Sequence, residues 1–401
     1  MTSRPARASA RSVDEYRAVI DGLLTPLADR PVESVPVPEA MGRLLAADTR
    51  APVDLPVFRN SAMDGYAVRA DSVVVAPVTL PVRGVVAAGD PGLEPLARGT
   101  AVKVMTGAPL PPGADCVIPV EDTDGDDAAV TVRRGRTAGE FVREPGTDVR
   151  AGDRLVAAGT LLAPRHIAAL AAVGLAQVDV RVTVRAAVLS TGDELVPAGQ
   201  PLRPGQIYNS NGIALAAALR ADGVTVVSVA HSSDDPAVFG ELLSAATRSA
   251  DLVLTTGGVS QGDFEVVKEV LGARGGTFGS VAMQPGGPQG LTVLDGVPVL
   301  SFPGNPVSTM VSYEVFARPV LRALAGLPPV PEYDTVLTEP IRSPAGRRQF
   351  LRGRRTPAGV ESVSGPGSHL VAGMAAADLL IDVPAEATEL PAGTPVRVRE
   401  L

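Results

Sequence analysis

Three short loops rich in hydroxyl, carboxylate and glycine residues each follow an apolar segment between residues 182 and 263. They read STGDEL at 190–195, HSSDD at 231–235 and TTGGVSQGD at 255–263. In an open α/β sheet, ligands bind outside the carboxyl ends of the strands. Hydroxyls and backbone N–H groups bind phosphate oxygens, and Mg²⁺ prefers carboxylate oxygens. Together the loops predict a site for a phosphate-bearing ligand with Mg²⁺.

The third loop is the strongest candidate for a phosphate cradle. Gly257 and Gly258 follow a predicted buried strand, and a helix begins just beyond them. Glycine allows close approach of an anion, and a helix N-terminus favours negative charge. The loop is neither a Walker A nor a GxGxxG pattern, which disfavours those nucleotide-binding classes. A tight turn that binds nothing uses the same residues, so both interpretations stay open for this loop alone.

Acidic residues in the other two loops are candidate metal ligands. Asp193 and Glu194 lie in the first loop, and Asp234 and Asp235 lie in the second. Two carboxylates beside a phosphate cradle are the arrangement in which proteins hold Mg²⁺. Acidic residues before a helix can also be solvated or act as caps, and Asp235 has the position of a cap.

Three further stretches could be sites or only turns. FPGNPVS at 302–308 leads into a helix and offers a second anion pocket, with helix capping as the alternative. Asp64 lies in NSAMDGYAV, where a hairpin turn is the simpler interpretation. Thr106 and Gly107 in VMTGAP are open to the same two interpretations.

The elements that must position these loops alternate between strand and helix from Val182 onward. This alternation predicts a largely parallel sheet covered by helices. A hairpin follows with Asp295 and Gly296 as its turn, and a helix begins at Asn305 and Pro306.

The first half of the chain predicts short strands and a few helices. Ser12 with Glu15 resembles a capping box that begins a helix from Val13 to about Leu24. A short helix is predicted at 40–48, and a longer one at 160–174. Between them, valine-rich runs alternate with Gly/Pro turns and predict a β-rich module.

Composition excludes several classes of function. The net charge is −8, tryptophan is absent and lysine occurs only at 103 and 268, so neither a basic stripe nor an aromatic platform for nucleic acid is present in the sequence. No uncharged apolar run is long enough to span a membrane, and the first residues contain no signal-peptide core, so we expect a cytoplasmic protein without a membrane contact.

Cysteine and histidine are too few to build a disulfide framework or a zinc site. The single cysteine excludes an internal disulfide framework, and the three histidines lie far apart in sequence. A hard cation held by carboxylates, such as Mg²⁺, is the expected metal.

Eight motifs occur in one order along the chain: SAMDGYAV, MTGAPLPPGAD, STGDEL, GQIYNSN, TTGGVSQGD, FPGNPVS, GRRQFLRG and GSHL. In these motifs the chain resembles the molybdopterin molybdenumtransferase (MoeA) family, relatives of the gephyrin E domain, over essentially its whole length. The resemblance implies insertion of molybdate into adenylylated molybdopterin with release of AMP, Mg²⁺ as cofactor, and an elongated homodimer of four domains per chain with a shared active site.

The resemblance and the patterns together predict a multidomain α/β plus β fold. Its parts are a discontinuous helical and extended linking or dimerisation domain (1–52 and 147–177), a β-rich inserted domain (53–146), a central doubly wound α/β domain of the molybdopterin-binding type (178–327), and a C-terminal β domain (328–401).

Site residues are carried over from the family by motif position. The resemblance implies the catalytic residues Asp64, Thr106, Asp148 and Glu194, and Glu194 and Asp234 as metal ligands. It implies molybdate contacts at Pro288, Ser308, Arg347 and Ser368. With the loops above it implies molybdopterin and phosphate contacts at Ser190, Thr191, Gly192, Asp193, Asp234, Gly257, Gly258, Ser260, Gly262, Glu265, Pro303, Gly304 and Asn305.

The chain departs from the family pattern at four positions. Glu265 stands where the family often has aspartate, and Ser280, Gln284 and Gly287 stand where many members have lysine. Losing one charge-assisted contact to an anion costs about 1.5–3 kcal/mol. The stretch MQPGGPQG therefore predicts a weaker or differently tuned anion site.

Two alternative functions remain open at this stage. The neutral stretch is also compatible with a non-catalytic paralogue that carries a molybdopterin species. A molybdopterin adenylyltransferase is a weaker alternative, because its family resembles the α/β domain alone. The resemblance also implies contacts with such an adenylyltransferase or with apo-molybdoenzymes. The sequence does not distinguish a preference for molybdate from one for tungstate.

Overall fold

A computed structural model describes residues 10–90, 94–259 and 265–401. The chain forms two compact units. One unit is Ser34–Val180, and the other combines the N-terminal residues through Glu33 with Arg181–Leu401. None of the helices in the described residues is long and apolar enough to cross a membrane.

The second unit is built on a six-stranded sheet. The strand order is Thr225–Ser232, Arg185–Thr191, Leu252–Thr256, Val297–Phe302, Pro288–Leu294, Thr277–Ser280. The first four strands are parallel to one another, and the fifth, Pro288–Leu294, is antiparallel to both of its neighbours. The prediction of a largely parallel sheet is therefore confirmed for its central part, with an antiparallel edge added by the hairpin. Asp295 and Gly296 form the hairpin turn with φ of 52° and 81°.

Helices cover both faces of this sheet. They are Val13–Leu24, Asn211–Ala221, Pro236–Ser249, Val266–Gly272, Pro306–Ser312, the π-helix Tyr313–Ala317, Arg318–Leu324 and Val371–Ala375. Successive strand residues alternate between two cores: Val188 packs in the cluster with Leu215, and Leu189 packs in the cluster with Phe239. Because successive side chains of a strand point to opposite faces, this alternation makes the domain doubly wound, as the sequence predicts.

The N-terminal helix Val13–Leu24 belongs to the core of this unit. Ser12 and Glu15 form the predicted capping box, with bonds of 2.8 and 3.1 Å. The Tyr16 ring packs edge-on against Phe316 at 4.9 Å between centroids. The structure thus groups the first helix with the α/β unit, whereas the sequence assigned residues 1–52 to a linking domain.

A second sheet lies at the C-terminal end of the same unit. Its strands are Met283–Gln284, Arg348–Thr356, Leu379–Val383, Pro395–Glu400 and Glu332–Val336, with Gly359–Ser362 beside the second strand, and Ile341–Arg342 pairs with Glu389–Leu390. Met283–Gln284 runs parallel to Arg348–Gln349. The stretch at 284–288 therefore connects the C-terminal sheet to the central sheet.

The Ser34–Val180 unit is the β-rich module. Its five-stranded sheet has the order Cys116–Pro119, Gly65–Val68, Ala101–Val104, Val78–Val86, Ala129–Val132, and shorter pairs join Asn60–Ser61 to Val142–Arg143 and Thr49–Arg50 to Arg154–Val156. One α-helix, Pro164–Ala172, lies within the helix predicted at 160–174. Val32–Pro36 and Gln177–Arg181 are the strands in which the chain passes from one unit to the other.

The short helix predicted at 40–48 is wrong. The N–H of Gly42 donates to Leu162 O at 2.7 Å, and the N–H of Leu45 donates to Thr160 O at 2.9 Å. These bonds go to a distant segment of the chain rather than to carbonyls four residues earlier. Gly42 also has a φ of +74°, which ends a right-handed helix.

Candidate active site at the carboxyl edge of the central sheet

A polar cavity of about 390 Å³ opens where the parallel strands of the central sheet end. All three polar loops, together with the turn before the helix Pro306–Ser312, contribute to its wall. The predicted site residues that line it are Thr191, Gly192, Glu194, Asp234, Gly257, Gly258, Glu265, Gly304 and Asn305. Residues that are far apart in sequence thus meet in one cavity, because the parallel strands before them end at the same edge of the sheet.

Two glycines allow the backbone segments of this cavity to approach each other closely. Gly257 has a φ of +95°, and a Cβ atom there would lie 2.8 Å from both O and Oγ1 of Thr191. A Cβ on Gly304 would lie 3.3 Å from the Gly257 Cα. The Gly257 N–H donates to Phe302 O at 3.2 Å, so it serves the sheet instead of the phosphate for which the sequence predicted it.

Thr191 leaves a polar atom without a partner at this edge. Its Oγ1 is buried and makes no hydrogen bond with the described residues, while the residue lines the cavity. Buried hydroxyls are normally satisfied by protein, water or ligand. Thr191 is therefore a candidate contact for a polar ligand.

Asn211 is a cavity residue that the sequence analysis did not assign. Its Nδ2 donates to Gly304 O at 2.7 Å and to Thr256 Oγ1 at 3.0 Å. These bonds tie the helix Asn211–Ala221 to the ends of two neighbouring strands. The only sequence signal is its place in GQIYNSN, a polar run at a helix start.

Asn209 lines the same wall and explains the position of Ser190. The Asn209 Oδ1 accepts the Gly212 N–H at 3.2 Å, and its Nδ2 donates to Ser190 Oγ at 2.6 Å. Ser190 is fully buried and lies behind Asn209. Ser190 therefore supports a cavity residue and does not line the cavity itself.

The first two acidic loops are joined by reciprocal hydrogen bonds. The Asp193 N–H donates to Asp234 Oδ2 at 3.3 Å, and the Asp234 N–H donates to Asp193 Oδ1 at 3.1 Å. Only Asp234 of this pair lines the cavity. Asp235 caps the following helix through the N–H groups of Ala237 and Val238, so its predicted capping role is confirmed.

Among the described residues, every charged side chain that lines the cavity is acidic. Glu194, Asp234 and Glu265 line it, and no lysine, arginine or histidine does. No group of three or more His, Cys, Asp or Glu side chains among these residues is arranged to hold a metal. Mg²⁺ is commonly held by one or two carboxylates plus substrate phosphates, and Glu194 and Asp234 fit that mode. Ser260 and Gly262 of the predicted cradle lie outside the described residues.

Two of the predicted molybdate residues lie close together near the start of the helix Pro306–Ser312. The Val307 N–H donates to Ser368 O at 3.0 Å, which places Ser368 beside the buried Ser308. Pro303, predicted to contact phosphate, accepts from Thr309 Oγ1 at 2.6 Å through its carbonyl and does not line the cavity. Arg347 is exposed and makes no side-chain hydrogen bond or ion pair with described residues.

Arg352 is a second residue that the sequence analysis did not assign to the site. Its side chain is fully buried and donates to Ser364 Oγ, Gly365 O and Gly367 O, directly before Ser368. Its Nη1 has no hydrogen-bond partner, and no carboxylate pairs with it, among the described residues. Burial lowers the pKa of Arg352. An uncompensated buried cation next to Ser368 is suited to an anion.

The remaining predicted catalytic residues lie in the Ser34–Val180 unit. Thr106 donates to Asp64 Oδ1 from its backbone N at 2.6 Å and from Oγ1 at 2.7 Å. These bonds hold the pKa of Asp64 below its usual value. Asp148 lies in an exposed turn, where its N–H donates to Leu55 O at 2.9 Å.

Comparisons with known families cover most of the chain. Residues 11–174 match the family model described as the MoeA N-terminal region (domain I and II). Residues 187–323 match a probable molybdopterin binding domain, and residues 334–401 match the MoeA C-terminal region (domain IV). The cavity and the predicted molybdate contacts thus fall within the second and third of these regions.

Individual proteins agree with the family models. The molybdopterin molybdenumtransferase 2 of Mycobacterium tuberculosis is 45% identical over 406 residues, covering 98% of this chain and 100% of that protein. The molybdopterin molybdenumtransferase of Synechococcus elongatus is 40% identical over 412 residues, covering 96% and 99%. A solved MoeA protein of molybdopterin biosynthesis from Pyrococcus horikosii is similar with a TM-score of 0.81 and 31% identity, covering 98% of this chain and 99% of that chain.

Proposed function

The chain belongs to the MoeA family of molybdopterin molybdenumtransferases, and we propose that its chemistry takes place at the cavity on the carboxyl edge of the central sheet. The protein is a transferase of molybdenum cofactor biosynthesis. The proposed reaction inserts molybdenum from molybdate into adenylylated molybdopterin and releases AMP. The proposed location of the reaction rests on a polar cavity of about 390 Å³ within the part of the chain that matches a probable molybdopterin binding domain.

The phosphate-bearing part of the substrate binds against uncharged groups in this proposal. Thr191 offers a hydroxyl that has no partner among the described residues. Gly257 leaves this hydroxyl uncrowded, because a Cβ there would lie 2.8 Å from it. Asn211 holds Gly304 in place, so the turn before the helix Pro306–Ser312 forms a fixed wall. These contacts bind and orient the substrate without adding positive charge.

A bound Mg²⁺ would offset the negative charge of the cavity and the substrate. Glu194 and Asp234 would hold the ion, because both carboxylates line the cavity on loops that are hydrogen-bonded to each other. When bound, Mg²⁺ polarises the phosphate oxygens of the adenylate link. Three carboxylates facing a phosphate repel it without such an ion, so the acidic lining itself supports a cation requirement.

Molybdate binds near Ser308 and Ser368 in this proposal, with Arg352 as the nearby cation. Arg352 is preferred to Arg347, because Arg352 is buried beside the Ser368 segment and lacks a carboxylate partner among the described residues. Arg347 is exposed, and solvent screens its charge.

Asp64, Thr106 and Asp148 enter the proposal as catalytic candidates of the Ser34–Val180 unit. The low pKa of Asp64 suits an ionised carboxylate that accepts hydrogen bonds or binds a cation, and does not suit a proton donor. The proposal also includes a homodimer and contacts with a molybdopterin adenylyltransferase or apo-molybdoenzymes, which are taken from the family resemblance. It includes a cytoplasmic location, which is taken from the sequence of the first residues.

The deciding experiment measures AMP release from adenylylated molybdopterin by the purified protein with molybdate and Mg²⁺. Glu194→Gln and Asp64→Asn are expected to lower the rate at least about tenfold, the effect of one lost charge-assisted contact. Glu241→Gln, an exposed carboxylate in the helix Pro236–Ser249, is the matched control. Full activity in both site variants would overturn the proposed site. Binding without AMP release would support a carrier, an alternative that the comparisons do not favour.

A further inference from the structure

Glutamine amides hold both ends of the loop at 284–288, which has the sequence QPGGP. At its start, Gln349 Nε2 donates to Gln284 Oε1 at 2.7 Å. At its end, Gln289 Nε2 donates to Gly286 O at 2.7 Å and to Ser312 Oγ at 2.7 Å. The loop contains no charged side chain, so hydrogen bonds rather than ion pairs fix its position.

Gln289 connects this loop to the helix Pro306–Ser312. Ser312 Oγ accepts from Gln289 and donates to Ser308 O at 2.7 Å. The backbone of Gly286 packs on the same hydroxyl, because a Cβ on Gly286 would lie 3.1 Å from Ser312 Oγ and 3.5 Å from Ser308 O. A continuous series of bonds thus runs from the loop through Gln289 and Ser312 to Ser308.

Position 289 requires a side chain with two N–H donors. Gln289 is 1% exposed, and each of its two amide hydrogens has an acceptor in the bonds above. A glutamate has nearly the same shape but, when ionised, offers only acceptors to Gly286 O and Ser312 Oγ. Gln289 also lines a cavity of about 250 Å³ with Tyr16 and Ser280, and its buried Oε1 has no partner among the described residues.

We propose that Gln289 is a positioning residue for the oxyanion substrate. By holding Gly286 against Ser312, it sets the separation between the neutral loop at 284–288 and Ser308. The oxyanion is then recognised by the shape of a rigid wall. A loop with lysines at these positions would instead attract the anion by its charge. This inference rests on the proposed function, because it takes Pro288 and Ser308 as molybdate contacts.

The test is the variant Gln289→Glu, assayed for AMP release at varied molybdate and at varied adenylylated molybdopterin. The KM for molybdate is expected to rise at least tenfold, while the KM for adenylylated molybdopterin changes less than twofold. A variant that is merely less stable would alter both constants together or only the amount of active enzyme. Gln177→Glu makes the same chemical change at an exposed position and serves as the control.

Ser312→Ala tests the same connection if Gln289→Glu fails to fold. It removes the hydroxyl that joins Gln289 to Ser308, and it is expected to raise the KM for molybdate in the same selective way. In the double variant, the two effects are expected to be less than additive, because both substitutions break one series of bonds.

Equilibrium dialysis with molybdate alone separates the two hypotheses. A wild-type protein that binds molybdate but releases no AMP would contradict the proposed reaction. The role of Gln289 would then be tested by whether Gln289→Glu loses molybdate binding. A wild-type enzyme that is active, with an unchanged KM and unchanged binding for molybdate in both Gln289→Glu and Ser312→Ala, would overturn the positioning role.

Discussion

Thr106 donates two hydrogen bonds to one carboxylate oxygen of Asp64, from its backbone N at 2.6 Å and from its hydroxyl at 2.7 Å. Hydrogen bonds to an ionised carboxylate stabilise the charged form, and the backbone bond is the larger cause of the lowered pKa of Asp64. The hydroxyl of Thr106 can be removed by mutation while its N–H cannot, which makes the pair suitable for a graded test.

Thr106→Val is expected to raise the pKa of Asp64 toward its usual value without fully restoring it, because the backbone donor remains. Carbon-detected NMR titration of the Asp64 carboxyl measures this shift, and Thr106→Ser should leave it nearly unchanged. A carboxyl with a lowered folded-state pKa stabilises the fold above its unfolded-state pKa, and this contribution is lost as the pH falls through the folded-state pKa. The difference in melting temperature between wild type and Thr106→Val should therefore shrink with acidification; a constant difference would contradict the assignment.

Gly257→Ala is expected to destabilise the protein more than Gly199→Ala. Both glycines have a positive φ, +95° and +86°, so each alanine has a backbone cost of about 1–2 kcal/mol. A Cβ on Gly199 meets nothing within 4 Å, whereas one on Gly257 lies 2.8 Å from Thr191. Crowding of this kind adds about 1–3 kcal/mol. Urea denaturation followed by circular dichroism measures the unfolding midpoint of each variant. Equal midpoints would show that Gly257 is not tightly packed against Thr191.

Asn211→Asp is expected to weaken binding of adenylylated molybdopterin more than Asn211→Ala. Alanine removes the donors to Gly304 O and Thr256 Oγ1, a loss of about 1–2 kcal/mol or roughly tenfold in affinity. Aspartate removes the same donors and adds a carboxylate to an already acidic cavity. Dissociation constants from fluorescence titration decide the order, and tighter binding by the aspartate variant would argue against an anionic ligand at this wall.

Glu194→Gln is expected to raise the Mg²⁺ concentration that gives half-maximal AMP release by about tenfold to a hundredfold, the effect of one lost charge-assisted contact. Glu265→Gln removes charge from the same cavity. It should change the Mg²⁺ requirement less, because Glu265 is not one of the proposed ligands. Metal titrations of the rate compare the variants. A larger effect at Glu265 would reassign the metal ligand.

Arg352→Lys is expected to raise the KM for molybdate by about tenfold, while Arg347→Lys changes it less than about threefold. Lysine keeps the charge but cannot reproduce the guanidinium fork that reaches Ser364 and two carbonyls of the segment before Ser368. Initial rates at varied molybdate measure both variants. The reverse order would restore Arg347 as the oxyanion contact.

Local sequence patterns correctly predicted the elements that are fixed by interactions between residues close together in the chain. Ser12 and Glu15 form a capping box with bonds between neighbours in sequence, and Asp295 with Gly296 forms the turn that its residue types favour. The inner parallel strands Arg185–Thr191 and Leu252–Thr256 are buried on both faces, and their continuous apolar runs predicted them. The loops after these strands were correctly brought together, because parallel strands end at one edge.

Non-local partners account for the misses. Asn211 is placed by Gly304, 93 positions away, and nothing in the GQIYNSN run specifies that partner. The helix predicted at 40–48 is absent because Gly42 and Leu45 donate to a segment near residue 160. Arg352 and Arg347 lie in one motif, and only the burial of Arg352 in the C-terminal sheet separates them.

The place of the helix Val13–Leu24 determines the order in which the units can be completed during translation. Its buried partners in the core all follow Arg181 in the chain, and some are distant in sequence: Arg17 Nε donates to Val315 O across 298 positions. The Ser34–Val180 unit is synthesised whole between them and can fold as a domain once it leaves the ribosome. The first helix must wait with its apolar face uncovered until the strands and helices after Arg181 emerge. The helix Val13–Leu24 is therefore synthesised well before its core partners and reaches its native packing only after they emerge.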